Sequence, residues 1–462
     1  MSSGRPVALP PPVSAAWGRW VRPARTGTAL TMITVYVVLL FAVPSNLVIA
    51  GLGSMGRPAM LWGLVLLLWW VIARLQAREV DVVRAAHPVR WALAALLLVA
   101  LVSFAAAMLR GQPHDQIGSA VSAIARLLSW TGVVLVMIDG LRTLRDVDAL
   151  LGRIVVAGTL VALLGLAQFV TNQTLLDVTA LIPGVQVEDG GVIARGEFTR
   201  PTGTATHPLE HSAAICSIVP LAITMGVTRA EAGRGRLPWT WLPAALIVFS
   251  AILSVSRSSL VGLAAAIVLS LPALPAAYRV AVAIGAALAG AAAVVVVPGL
   301  YGTIVGLFLG IGSDPSTESR TDGLARIPEF LAASPVLGVG LGTFLPRYYI
   351  FDNQWALLLL ELGVLGALAA GAVVVAALWG AVQTIRRSPY ADIAALGRGI
   401  AAALGTTVIL FAFFDGLSFP ISAGMFFLLV GLAGAVRAIG RADESLARSH
   451  RPVRAAALRG IA

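Results

Sequence analysis

The chain has 462 residues, of which 58% are hydrophobic and only 12% charged, with a mean hydropathy of +0.90. A soluble globular domain carries about 25% charged residues, so this composition excludes one. The net charge of +11 is carried by arginine alone and is scattered through short gaps, which fits membrane topology and argues against nucleic-acid binding.

Apolar runs near the length of a membrane span recur along the chain and predict an all-α, polytopic integral membrane protein. Twelve spans are expected, at 29–48, 58–75, 90–109, 117–138, 149–170, 207–227, 238–254, 258–275, 279–298, 355–384, 395–414 and 418–437. The first run is followed by further spans, so it reads as a span and not as a cleavable signal. Pro44 interrupts it. The apolar stretch Tyr301–Ile311 is too short to cross and suits an interfacial or re-entrant piece. One transmembrane domain, 29–437, is thus expected between an N-terminal tail, 1–28, and a C-terminal tail, 438–462. The single Cys216 excludes an internal disulfide.

Arginine placement orients this layout. The tails and the even-numbered gaps hold most of the arginines, so both termini are expected in the cytoplasm. The arginine-rich tails would be attracted to anionic membrane lipids. Eight arginines fall on the outer side: Arg57, Arg110, Arg195, Arg200, Arg257, Arg320, Arg326 and Arg347. Arg126 alone lies inside a span. The two long connections, about 171–206 and 299–354, are also on the outer side and hold most of these exceptions. Long loops in compact folds tend to be functional, which directs attention to that face.

Three polar clusters need an explanation there. Arg200 lies in Phe198-Thr-Arg-Pro-Thr-Gly-Thr204, Arg257 in Ser254-Val-Ser-Arg-Ser-Ser259, and Arg320 in Ser316-Thr-Glu-Ser-Arg-Thr-Asp322. Each arginine could simply snorkel to headgroups. Together they suit an anionic group, because guanidinium binds phosphate in a bidentate fork and the hydroxyls around Ser256 add donors. The second cluster is His207-Pro-Leu-Glu210-His211, whose members share a helical face. Its spacing also occurs in one class of zinc peptidase. Helix capping by Pro208 and Glu210 is the stronger reading, and lining of the cavity faced by the arginines is a third. The third cluster is Asp352-Asn353-Gln-Trp, followed by Glu361 two turns into an apolar run. A buried carboxylate in a span is a functional candidate, or else a partner for Arg126; Glu210 is the other possible partner. The glycine-rich Ser334–Phe344 lacks the strand–turn–helix context of a nucleotide loop and reads as a tight turn with close backbone approach.

Taken in order, these motifs resemble the O-antigen ligase and polymerase superfamily of bacterial membrane glycosyltransferases. Arg200-Pro-Thr-Gly-Thr-Ala-Thr-His207-Pro is similar to its R-x-x-G-x-x-x-H-P stretch, and Ser254-Val-Ser256-Arg257 to its S-x-S-R turn. Arg320 followed by Ser334-Pro-Val-Leu-Gly-Val-Gly-Leu-Gly-Thr-Phe344 resembles its large-loop stretch. Asp352-Asn353 through Glu361-Leu-Gly resembles its H-N-x-x-L-x-x-x-x-E-x-G segment. The resemblance implies a fold of the C-type glycosyltransferase class in the inner membrane. It implies a donor glycan on undecaprenyl diphosphate, a glycan or lipid acceptor, and no metal or nucleotide cofactor. By motif, Arg200, Arg257 and Arg320 become the diphosphate clamp. Asp352 stands where ligases carry a histidine and becomes the candidate base, with His207 next in line. Glu210 is a further catalytic candidate, and Asn353, Glu361, Arg126 and Ser256 support them. The aspartate in place of the histidine shifts weight from a lipopolysaccharide ligase toward a polymerase-like or otherwise diverged member with a different acceptor. Twelve spans with buried charges would also suit a lipid or amphiphile transporter, although no duplication between the halves is visible.

Overall fold

The computed structural model describes residues 27–76, 87–176, 183–187, 193–195, 198–231, 233, 237–309, 315–387 and 391–449. Most of the two expected tails lies outside these residues. Helices occupy every one of the twelve expected segments: α1 (Gly27–Ala42), α2 (Pro58–Gln76), α3 (Pro88–Leu109), α4 (His114–Gly140), α5 (Leu144–Thr171), α6 (Pro208–Glu231), α7 (Leu237–Leu253), α8 (Arg257–Ser270), α9 (Ala276–Val296), α12 (Gln354–Arg387), α13 (Ala391–Leu410) and α14 (Pro420–Ser449). The connection between α9 and α12 holds two more, α10 (Leu300–Leu309) and α11 (Pro315–Leu331). Among the described residues, nine helices are long and apolar enough to cross a membrane. The apolar parts of α1, α7 and α8–Ala273 are shorter.

Local sequence accounts for several boundaries. Thr143 starts α5 as a capping box: its hydroxyl accepts from Asp146 N (3.1 Å) while Asp146 accepts from Thr143 N (3.2 Å). Asn172, in the left-handed region at φ 57°, ends the same helix. The first span stops at Ala42, two residues before Pro44, instead of running to 48. The chain then forms β1 (Leu47–Ile49), which pairs antiparallel with β2 (Val185–Val187) from the first long connection. A second small antiparallel pair joins β3 (Ile193–Arg195) and β4 (Phe198–Arg200). The fold is therefore nearly, though not purely, all-α.

Burial sorts centre from periphery. Of the apolar window of α14, 89% is buried, against 11% for α9. Large apolar side chains such as Leu160, Leu288 and Leu368 are exposed on the outside, as a lipid-facing surface requires. Helices α2 and α4 cross at glycine: a Cβ at Gly63 would lie 2.0 Å from Ser129 Oγ. Small residues allow such close backbone approach where lipid gives helices no hydrophobic drive to associate.

The most consequential irregularity lies in α12. At Gly363 the backbone turns to φ 67°, ψ −169°, and breaks the helix into 354–362 and 364–387. The glycine turn of the second long connection fills the gap. Val339 N and Gly340 N donate to the Leu360 and Glu361 carbonyls (3.0 and 2.9 Å). Val364 N and Leu365 N donate to the Pro335 and Val336 carbonyls (2.9 and 3.3 Å). Ser103 Oγ donates to Leu337 O (2.6 Å), and Arg110 Nη2 to Gly338 O (2.8 Å). The approach is tight enough to require glycine on both sides. A Cβ at Gly338 (φ 71°) or at Gly363 would lie 2.3 Å from backbone across the gap.

Gly363→Ala combines a left-handed backbone with steric overlap, and such strain costs about 1–3 kcal/mol per residue. It should lower the thermal unfolding midpoint of the purified protein. Gly371→Ala, further along the same helix with open space around it, should leave the midpoint unchanged or slightly raised.

Candidate functional site

Loops from distant parts of the chain meet around residues 411–419, the connection between α13 and α14. Gln354 N donates to Phe411 O and Phe414 O (2.8 and 3.2 Å), and Gln354 Oε1 accepts from Leu417 N (2.7 Å). Arg320 Nη2 donates to Phe413 O (3.1 Å). Ile421 N donates to Glu210 Oε1 (2.6 Å), and the His207 and Phe419 rings lie 5.9 Å apart. Arg320, the start of α12 and the His207–Glu210 stretch therefore converge on this connection.

The first side of the site is cationic. Strand β4 delivers Arg200, whose Nε donates to Ser254 O (3.4 Å) in the turn that carries Arg257. Both arginines are buried. The turn is strained: Val255 is β-branched yet sits at φ 46°. The Ser254 and Ser259 hydroxyls brace it, both reaching Ala251 O (2.6 and 2.8 Å). Ser256 is the N-cap of α8 and makes no side-chain cap bond, and Arg257 is the first helical residue. The helix dipole adds positive potential at the first residue of α8, Arg257. The arrangement favours an anion.

The second side is acidic. Arg320 Nη2 lies 3.8 Å from Asp352 Oδ2. Burial pushes the Asp352 carboxyl above its ordinary value, and Arg320 opposes the shift. Asp415, on the converging connection, is pushed up to about 6, chiefly by burial, with the Ser418 hydroxyl opposing and the Asp352 charge adding. The sequence reading passed over Asp415. Its only signal was an acid in a short gap between two apolar runs. Asn353 caps α12, its Oδ1 accepting from Trp355 N and Ala356 N (3.0 and 3.1 Å).

Between α3, α4, α12 and this connection lies a cavity of about 290 Å³. Arg126, Glu361 and Asp415 line it, together with aromatic side chains that include Tyr349, Phe351 and Trp355. The Glu361 carboxylate accepts from the backbone N–H groups of Gly342 and Phe344, and Arg126 acts on it electrostatically. Arg126 is therefore set against Glu361. Glu210 has Arg57 as its electrostatic partner. The lining does not include Arg200, Arg257 or Arg320.

The His207–His211 cluster divides its members among different partners. Glu210 is buried and accepts from Ser45 Oγ (2.8 Å), Thr206 N (2.9 Å) and Ile421 N. His207 Nδ1 accepts from Leu209 N (3.1 Å). Burial, aided by Arg200, holds its pKa down near 4, so His207 is neutral at neutral pH. His211 Nε2 pairs with Ser250 Oγ (3.3 Å). Among the described residues, no three side chains of metal-ligating type come together.

Residues 242–371 match a family model described as O-antigen ligase. The match spans the Ser254–Arg257 turn, Arg320, the glycine turn, Asp352 and Glu361; the Arg200–His207 stretch precedes it. No curated protein matches the chain.

Glu210→Ala would leave Ile421 N without its acceptor in a buried place, while Ser45 and Thr206 would keep each other as partners. An orphaned buried donor costs about 1–3 kcal/mol, so the thermal midpoint should fall. Glu210→Gln, which keeps one acceptor oxygen, should fall less.

Proposed function

We propose that this chain, which matches the O-antigen ligase family model over 242–371 and has helices apolar enough to cross a membrane, moves a glycan from undecaprenyl diphosphate to an acceptor hydroxyl at the outer face of the bacterial inner membrane. The observation that carries this reading is a supply of both charge types: buried Arg200 and Arg257 at the strained start of α8, and Arg320 paired with Asp352 beside Asp415. The arginines suit a leaving diphosphate and the carboxylates suit a proton acceptor.

In the reaction, the acceptor hydroxyl gives its proton to an Asp352 carboxylate oxygen. The hydroxyl oxygen bonds to the anomeric carbon of the donor. The bond from that carbon to the diphosphate oxygen breaks, and its electron pair leaves on the diphosphate. Negative charge on the leaving group grows toward the transition state, so fixed guanidinium groups at Arg200, Arg257 and Arg320 stabilise it more than the bound donor. Ser256 adds a donor beside them. Asn353 and Glu361 act as positioning residues: one caps the helix that follows the base, and the other ties the glycine turn to it. Arg126 holds Glu361. Glu210 holds the start of α6 against α14, and His207 lies between Arg200 and Phe419. A carboxylate in place of the family histidine points to a polymerase-like member whose acceptor is a glycan.

Removing one preorganised donor to a developing anion costs about 10²–10³ in rate. Arg257→Ala and Arg320→Ala should lose at least that much glycan transfer in a complementation assay, while protein level and thermal midpoint stay near wild type. Wild-type transfer in both variants would remove the clamp.

Asp352 acts as a base only when ionised, and its proton affinity is raised. Transfer should therefore be lost as pH falls, with an acidic limb above the ordinary aspartate value of about 3.9. In the residual activity of Arg320→Gln the limb should move to higher pH, because the charge that favours the carboxylate is gone. Asp352→Asn should show no such limb.

A further inference from the structure

The charged groups of the site are divided between two compartments. The three clamp arginines lie outside the cavity lining, whereas the lining holds two carboxylates, Glu361 and Asp415, against one guanidinium, Arg126. Arg126 already acts on Glu361. A diphosphate entering this cavity would meet an acid excess in a poorly hydrated place, which is electrostatically costly. The wall is aromatic: Phe344, Phe351 and Tyr349 pack with ring centroids 4.9–5.5 Å apart, and Trp355 and Phe411 continue it at 6.1 Å. Ring faces offer flat apolar surface, while carboxylates accept from hydroxyl or ammonium groups. Position adds a further constraint. Asp415 lines the cavity, and the Asp352 charge acts on it. A hydroxyl held beside Asp415 is therefore close to the proposed base. At about 290 Å³ the space is at the lower end of small-ligand pockets, about 300–1,000 Å³, enough for the end of a glycan and not for a whole carrier.

We propose that this cavity receives the terminal sugar of the acceptor glycan, and that it selects a neutral or amino-bearing sugar over one carrying phosphate or carboxylate. The proposal rests on the transfer reading above and assigns its acceptor side. The donor diphosphate remains with the three arginines, outside the cavity lining.

The test uses the full chain in the membranes of its own host, with Tyr349→p-benzoylphenylalanine as a photo-crosslinking probe on the lining. Leu345→p-benzoylphenylalanine, also on the lining, guards against a misfolded first variant. Trp379, exposed on the outer surface of α12, gives the lipid-facing control. After irradiation, mild acid strips any polyprenyl diphosphate, and the labelled peptide is analysed by mass spectrometry. The expected adduct is a hexose or aminohexose without phosphate or carboxylate, absent at position 379. It should persist at a comparable level when Arg257→Ala is added, because the donor clamp does not hold it. An isoprenoid, an acyl chain, an acidic sugar, or no sugar at either probe would overturn the proposal. Loss of the sugar adduct with Arg257→Ala would also overturn it, by assigning that sugar to the donor. Undiminished glycan transfer by Arg257→Ala would instead remove the clamp reading, whatever the adduct.

Discussion

The exchange of backbone hydrogen bonds across the break at Gly363 is the constraint on which the site depends. Inside a bilayer, a helix that stops in mid-span leaves carbonyl and amide groups with no water to satisfy them. Here the glycine turn supplies both sets of partners at once, with Val339 and Gly340 as donors and Pro335 and Val336 as acceptors. The repair has a geometric result. It draws the second long connection into the bundle, places Glu361 where its carboxylate can take the Gly342 and Phe344 amides, and sets 341–351 as a wall of the cavity. Asn353 then caps the short N-terminal piece of α12. The cavity exists because a helix is interrupted.

A second organising feature is the connection at 411–419. It has little regular structure of its own, yet its carbonyls receive Gln354 and Arg320, and the residue just beyond it, Ile421, donates to Glu210. Polar segments from three parts of the chain thereby share one anchor. Arg320 joins the two charge types there, reaching Phe413 O and lying 3.8 Å from Asp352.

Much of this was legible in the sequence, for unequal reasons. Hydropathy is a local property, so the twelve helical segments could be read directly, and Pro44 marked the early end of the first. Arg257 stood out because a charge in a tight turn between two apolar runs needs a reason. The match over 242–371 bears out the family resemblance drawn from that turn and the motifs after it. Asp415 was not legible: nothing in Phe414-Asp415-Gly416-Leu417 has a spacing that signals chemistry, and its proton affinity comes from burial and from Asp352 across the fold. The glycine turn was recognised as a tight turn, but not as the repair of α12, because its partners are set by long-range backbone pairing. The β1–β2 pair was missed for the same reason. The zinc-like spacing at His207–His211 shows the converse. A helix face brings the three residues together in pattern, and tertiary partners then draw each to a different task.

The interrupted helix also bears on how this chain can be divided. Neither the glycine turn nor the N-terminal piece of α12 has a complete set of backbone partners without the other, so residues 334–366 behave as one cassette. A chimera that imports the turn alone would bring amides and carbonyls with no register to meet. One that imports the whole cassette would carry its own mould, and would need Ser103, Arg110, Arg126 and the 411–417 connection from its new host to seat it.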